Sequence, residues 1–305
     1  GVVVAGVAGH GIHVSDCDLA DDCGGGGGGA GGGSPASISV DLRDVTVSDV
    51  GNGRFDADGL RVDERGAGDI TARITGSRFV GVGADGVELD EGQDGSVIVQ
   101  VTDTRFEDNG IYCPPDVLAA YLPDPDESEF DEGVRAEADI PGPVTGSPDD
   151  GCFEREVDLY DDGSVEAYAF GIDVDDGFDV DEAGPGGIVA TLVSVSVTGN
   201  LDEGLDFDEE DAGGIRLSVS GGDYSKNADD GIKLSEEDGG GITATVVGTL
   251  AMANGGKGIV FEEEDDGDLT ATVIDVLTAG NDDGDDTGLE AVQDDEGTGL
   301  VTLKG

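Results

Sequence analysis

One unit written three times at a fixed interval restricts this chain more than any other feature. The segments NLDEGLDFDEEDAGG from Asn200, NADDGIKLSEEDGGG from Asn227 and NGGKGIVFEEEDDGD from Asn254 start 27 residues apart. A period of that length marks a stacked array, whose units bury their apolar sides only against one another. Between the copies run strands of period-two alternation, such as Ile188-x-Ala190-x-Leu192, Ile215-x-Leu217-x-Val219 and Ile242-x-Ala244-x-Val246. Alternation sends one set of side chains inward and the other to water. The same register occurs at Ile70-x-Ala72-x-Ile74 and Val97-x-Val99-x-Val101, and no helical periodicity of useful length competes with it.

Each unit holds three short strands, the third being a Gly-apolar-x-apolar run such as Leu205/Phe207, Ile232/Leu234 and Ile259/Phe261. Three strands and three corners suit one coil of a parallel β-helix, with coils stacked roughly 4.8 Å apart. Asn200, Asn227, Asn254 and Asn281 fall 27 apart just before that third strand. This file resembles the asparagine ladder of right-handed parallel β-helices, the pectate-lyase-like group, over about 38–110 and 175–305. Asparagine tolerates a left-handed corner, and its amide can bond the copy above. The resemblance implies an all-β fold: a single-stranded right-handed parallel β-helix of about eight coils, with residues 1–305 as one domain. That fold hosts lyases, hydrolases, adhesins and surface proteins, so it leaves the activity open.

Two stretches depart from the repeat. Residues 20–37 are glycine-rich and read as a loop. The interval from Val97 to Ile188 is 91 residues, one coil plus 64, and the excess at 111–174 reads as an inserted loop region rich in proline and tyrosine. Insertions in solenoids emerge on one face and often carry binding, which makes Tyr112, Tyr121, Tyr160 and Tyr168 candidates for contact with a sugar or a protein partner. Cys17 with Cys23, and Cys113 with Cys152, form local pairs that predict disulfides and an extracellular or cell-surface location. The last interval, from Leu269 to Leu300, is read as 31 residues. The chain begins inside the repeat pattern, which reads as a processed form.

A formal net charge of −57 excludes nucleic acid as a partner and opposes an anionic membrane. No segment has the apolar length for membrane insertion. Acid-rich, lysine-poor composition is also common in proteins of salty habitats. Within the repeat the acids form files: Glu64, Glu91, Glu182, Glu209, Glu236 and Glu263 occupy one equivalent position. Two carboxylates about 4.8 Å apart repel by roughly 0.9 kcal/mol in water and by more at lower dielectric. Bound Ca²⁺ would relieve them, because it accepts six to eight hard oxygen ligands in flexible geometry. The expected ligands are Asp208, Glu209, Glu210 and Asp211; Glu236, Glu237 and Asp238; and Glu262, Glu263, Glu264 and Asp265.

These readings converge on a secreted, acidic, non-catalytic module with a structural, surface or adhesion role, recognising a polysaccharide or cell-surface partner through the insertion. Open terminal coils allow end-to-end self-association. The rival is a carbohydrate-active enzyme, a polysaccharide lyase or glycoside hydrolase. It requires a groove where an Arg or Lys meets two or three carboxylates. His10, between two glycines, reads as a strand-start residue; Arg78 and Arg105 read as charge compensation.

Overall fold

The computed structural model describes residues 1–16, 33–51, 57–110, 174–282, 284, 287–294 and 296–305, together with the backbone of 154–159 and 165–171. The described residues form strands and connecting turns, and no helix occurs among them. Two long parallel sheets carry the architecture, which is compatible with a parallel β-helix. The eight-stranded sheet stacks Ile12–Ser15, Leu60–Glu64, Val87–Glu91, Phe178–Ala183, Leu205–Glu210, Lys233–Glu236, Ile259–Glu263 and Leu289–Gln293 in that order. The fourteen-stranded sheet holds two lines of strands. Ile188–Thr198 and Ile215–Ser225 run through both lines and join them.

The register follows the repeat. Ile215 lies opposite Ile188 and Ile242, Phe207 opposite Val180 and Leu234, and Glu209 opposite Glu182 and Glu236. Val97 pairs directly with Ile188, so the ladder continues across the long interval in register. At its base the Asp175 amide donates to the Gly110 carbonyl at 3.0 Å. Part of the segment expected to be a loop is regular: Glu154–Leu159 pairs antiparallel with Val165–Gly171. The expected 31-residue final interval is corrected to 30, since Leu300 faces Thr270 and Gln293 faces Glu263. Leu300 therefore points outward and is 55% exposed, while its expected counterpart Leu269 is buried.

Inward seats are filled by aliphatic residues and a short aromatic pile. Phe79, Phe106 and Phe178 stack nearly parallel with ring centroids 5.3 Å apart, and Phe207 meets Phe178 edge-on at 5.5 Å. Both arrangements suit the ring quadrupole and maximise dispersion contact. The bend between the two lines of the large sheet uses left-handed residues, with φ of 52° at Asp44, 48° at Asp103, 54° at Ser194 and 51° at Asp275. Aspartate is among the few side chains that enter this region readily.

The asparagine file is continuous and longer than the sequence period suggested. Asn200 Oδ1 accepts from the backbone amide and Nδ2 of Asn109, each at 3.1 Å. Asn227 Oδ1 does the same for Asn200 at 3.2 and 3.0 Å, and Asn254 Oδ1 for the Asn227 amide at 3.1 Å. The side chains are buried, so every such bond satisfies a group that water cannot reach. The left-handed corner is not at these asparagines. It falls one residue earlier, at Asp108, Gly199, Lys226, Ala253 and Gly280, which frees each amide to turn inward.

Replacing Asn227 with Ala strips the acceptor from Asn200 and a donor from the Val197 carbonyl, leaving buried polar groups unpaired. The expected loss is about 3 kcal/mol. A chemical-denaturation midpoint that does not move would contradict this account of the ladder.

Candidate metal centre

The third strand of each coil presents alternate residues to the inside and outside of the stack. Leu205, Phe207 and Glu209 are inward; Asp206 and Asp208 lie on the other face, flanked by the equivalent residues of adjoining coils. Just before each strand, a residue preceding a glycine adds a further file: Asp58, Asp85, Asp176, Glu203, Asp230 and Lys257. Register thus assembles about a dozen carboxylates on one face, many of them buried.

Two clusters of cations divide this face. Arg61 Nε donates to Asp63 Oδ1 at 2.8 Å, and its Nη atoms face Asp58 and Asp90 at 3.5 Å and Glu88 more closely. Arg65 pairs with Asp90, and His13 Nε2 lies 2.6 Å from Asp63 Oδ2. Burial works against charge at Asp63, yet Arg61 and His13 hold its carboxyl below the usual range. His10 Nδ1 accepts the Asp58 amide at 3.1 Å and lies 3.2 Å from Asp58 Oδ2. In a later coil Lys233 Nζ lies 2.8 Å from Asp206 Oδ2 and 3.6 Å from Glu203 Oε1.

Between these clusters the carboxylates outnumber the cations. Burial, followed by repulsion from neighbouring carboxylates, pushes Asp176, Asp179 and Glu203 well above the usual range. Burial chiefly raises Asp181 to about 7, Asp202 to about 7 and Asp208 to about 8. Asp206 is raised by burial even though Lys233 opposes the shift. Burial disfavours the Lys233 ammonium, but Asp206, Asp208 and Glu203 outweigh it and keep the group charged.

The file before the strand shows where compensation fails. Asp58 Oδ1 accepts the Asp85 amide at 3.1 Å, and Asp85 Oδ1 accepts the Asp176 amide at 2.6 Å. Asp230 Oδ1 likewise accepts the Lys257 amide. At Asp176 the pattern breaks: its buried Oδ1 meets no donor. Asp176, Asp202 and Glu203 bring their oxygens within 4.8 Å of one another, and this set could hold a metal ion. The sets Asp58/Asp85/Glu88 and Glu88/Asp179/Asp181 also converge, but both include Glu88, which Arg61 engages closely, whereas Lys233 stands 3.6 Å from Glu203.

The ligands expected from sequence are distributed differently. Glu210, Glu237, Glu264, Asp211, Asp238 and Asp265 are exposed along one edge, while Asp208 and Glu262 lie half-buried on the outer strand face. Glu209, Glu236 and Glu263 face the core. Asp176, Asp202 and Glu203 went unrecognised because Asp-Gly and Glu-Gly steps recur throughout this sequence; their position before the third strand was the available signal. Arg78 and Arg105 stack as expected, and both pair with Glu107 at the surface. Cys17, Cys23, Cys113 and Cys152, together with Tyr112, Tyr121 and Tyr160, lie outside the described residues, and Tyr168 is described by its backbone alone.

Family models, curated proteins and solved structures were each compared with the chain, and none matches.

Lys233→Met leaves Asp206 and Glu203 without their cation. The expected cost is about 3 kcal/mol at about pH 9, where uncompensated buried charge is destabilising. At about pH 6 the raised carboxyls take up protons instead, so the cost shrinks. Denaturation at the two pH values checks this, and an equal loss at both would refute it.

Proposed function

We propose that the chain is a secreted, non-catalytic, calcium-binding module: a right-handed parallel β-helix of about eight coils with a structural, surface or adhesion role. The observation that carries this reading is the interrupted file at Asp176. A buried carboxylate oxygen without a donor, beside Asp202 and Glu203, suits a hard cation. Three carboxylates supply part of the six to eight oxygens Ca²⁺ takes, and water can supply the others. Mg²⁺ fits less well, because it demands near-ideal octahedral geometry and sheds water reluctantly. The raised carboxyls make protons competitors, so uptake releases protons and weakens in acid.

The centre adjoins the base of the insertion, since Asp175 closes on Gly110. A cation there would tie the inserted segment's exit to the neighbouring coil. Recognition of a polysaccharide or cell-surface partner falls to the insertion, through Tyr112, Tyr121, Tyr160 and Tyr168. Disulfides Cys17–Cys23 and Cys113–Cys152 would suit an extracellular setting.

A second reading, a carbohydrate-active enzyme, draws on Arg61 and Lys233, each of which meets two or more carboxylates on the same outer face. Both cations are already committed to ion pairs, which favours charge compensation. Formation of unsaturated or reducing ends from uronate polymers, with and without Ca²⁺, separates the two classes.

Calcium at about a hundred times its Kd should stabilise the fold by about 2.7 kcal/mol. A chelator at constant ionic strength should therefore lower the melting midpoint by about 5 °C. Asp176→Asn should remove the difference. A midpoint indifferent to chelator in the unsubstituted protein eliminates the specific ion.

A further inference from the structure

Inside the solenoid, a chain of acidic side chains occupies seats that stacking normally gives to leucine. Glu64, Glu91, Glu182, Glu209, Glu236 and Glu263 follow one another in register, and none is more than 1% exposed. Each takes the third inward place of its strand, after pairs such as Val180 and Phe178 or Phe207 and Leu205. Hydrogen-bonding contact links Glu64 to Glu91, Glu91 to Glu182, Glu182 to Glu209, and Glu209 to Glu236. Yet Glu182 and Glu209 have both carboxyl oxygens buried with no donor. Carboxylates only accept, so two of them in contact leave both unsatisfied; one proton per contact satisfies both partners.

Metal ions do not suit this file as well as protons do. The carboxyls lie flush against the glycine turns: a Cβ added at Gly186, Gly213, Gly240 or Gly267 would strike the carboxyl of Glu182, Glu209, Glu236 or Glu263, respectively. That packing leaves a carboxyl in contact with backbone and with the next carboxyl, without the shell of six or more oxygens a hard cation requires. The end of the file carries its own precedent. The seat after Glu263 is taken by Gln293, whose Nε2 donates to Glu263 Oε2 and to the Gly267 carbonyl at 3.1 Å, while its Oε1 accepts the Leu269 amide at 2.9 Å. There, a neutral amide supplies the donor that the contact needs.

We propose that this interior glutamate file is a proton-binding site, in which neighbouring carboxyl and carboxylate groups share protons taken from solvent on folding. The balance is simple. An unfolded chain near neutrality has these glutamates ionised; folding draws protons from water into the contacts, and opening the stack returns them.

The surrounding charges act in the same direction. Asp16 faces Glu64, Asp211 faces Glu209, Asp238 faces Glu236, and Asp265, Asp266 and Asp268 face Glu263. All are acidic, so each opposes ionisation within the file. The cation beside it, Arg65, passes over Gly92 and is paired with Asp90. Burial raises Glu91 to about 8, Glu182 to about 10, Glu209 to about 8 and Glu236 to about 7; carboxyl neighbours add to the rise at Glu182, while at the other three a hydrogen bond from one neighbouring carboxyl partly offsets it. Since these folded values exceed the ordinary glutamate value of about 4.3, their stabilisation is complete below that value. It falls as pH rises, and is gone above about 10. This is the reverse of the usual behaviour of paired carboxylates.

The test pairs a spectrum with a pH series, using the full chain with Ca²⁺ present and again with chelator, so that it does not depend on the outer centre. Infrared spectra of the folded protein at about pH 7 should show the carbonyl stretch of protonated carboxyls. E182Q/E236Q, which places amides at alternate seats as Gln293 does naturally, should lose the file's share of that band and keep the share of the raised outer carboxyls Asp176, Asp179 and Glu203. The melting midpoint of the unsubstituted protein should fall between about pH 6 and 9, and that of the variant should fall less, by the share the outer carboxyls retain. Absence of the band from the unsubstituted protein overturns the proposal even if the variant fails to fold. So does a variant whose midpoint declines in parallel with the parent.

Discussion

In the two parallel sheets each strand residue lies beside its counterpart one coil away. Parallel register without slippage imposes this, and the interaction of each side chain with its own kind decides whether a file stabilises or strains the stack. Asparagine succeeds because it carries both a donor and an acceptor, so Asn109, Asn200, Asn227, Asn254 and Asn281 form one bonded column. Phenylalanine succeeds through ring contact. Carboxylates fail unless something else intervenes. Three intermediaries occur: backbone amides reaching Asp58, Asp85 and Asp230; inserted cations at Arg61 and Lys233; and, in the interior, contacts suited to a shared proton.

The same reasoning explains which parts of the molecule were legible in the sequence. Period and alternation gave the registers Ile188–Ile215–Ile242 and Glu209–Glu236 without needing anything from outside the chain. They also located the point where the inserted segment leaves. The facing of the glutamates was harder. Parity puts Glu209 on the side of Leu205 and Phe207, whereas charged side chains are ordinarily found at the surface. The decisive signal lay four residues on, where Gly186, Gly213, Gly240 and Gly267 make room for the folded-back carboxyls. Asn109 was missed because 91 residues separate it from Asn200, and the final interval was overcounted because Leu300 resembles the inward leucines by type alone.

Charge along the outer strand face is uneven for an equally local reason. Early coils carry Arg61, Arg65, His10 and His13 beside their acids, and a later coil carries Lys233. The coils between, entered directly after the insertion, contribute Asp176, Asp179, Asp181, Asp202, Glu203, Asp206 and Asp208. A solenoid can tolerate such a deficit in one place because each coil answers only to its neighbours. The deficit sits where the inserted segment rejoins the ladder, so the region with least internal neutralisation is also the one with most freedom to recruit a solute or a partner.

The contact between each core glutamate and the glycine four places after it ties two positions into a single heritable unit. A methyl group at Gly213 would displace the acid of its own coil, and the Gly186 carbonyl also lies against that site, so the disturbance would reach the coil before it. Point substitution can rarely alter such a pair one member at a time. Copying a whole coil preserves both members at once, along with the contacts that join them to the next. Lengthening or shortening by entire repeats is therefore the path of least resistance for diversification of this architecture.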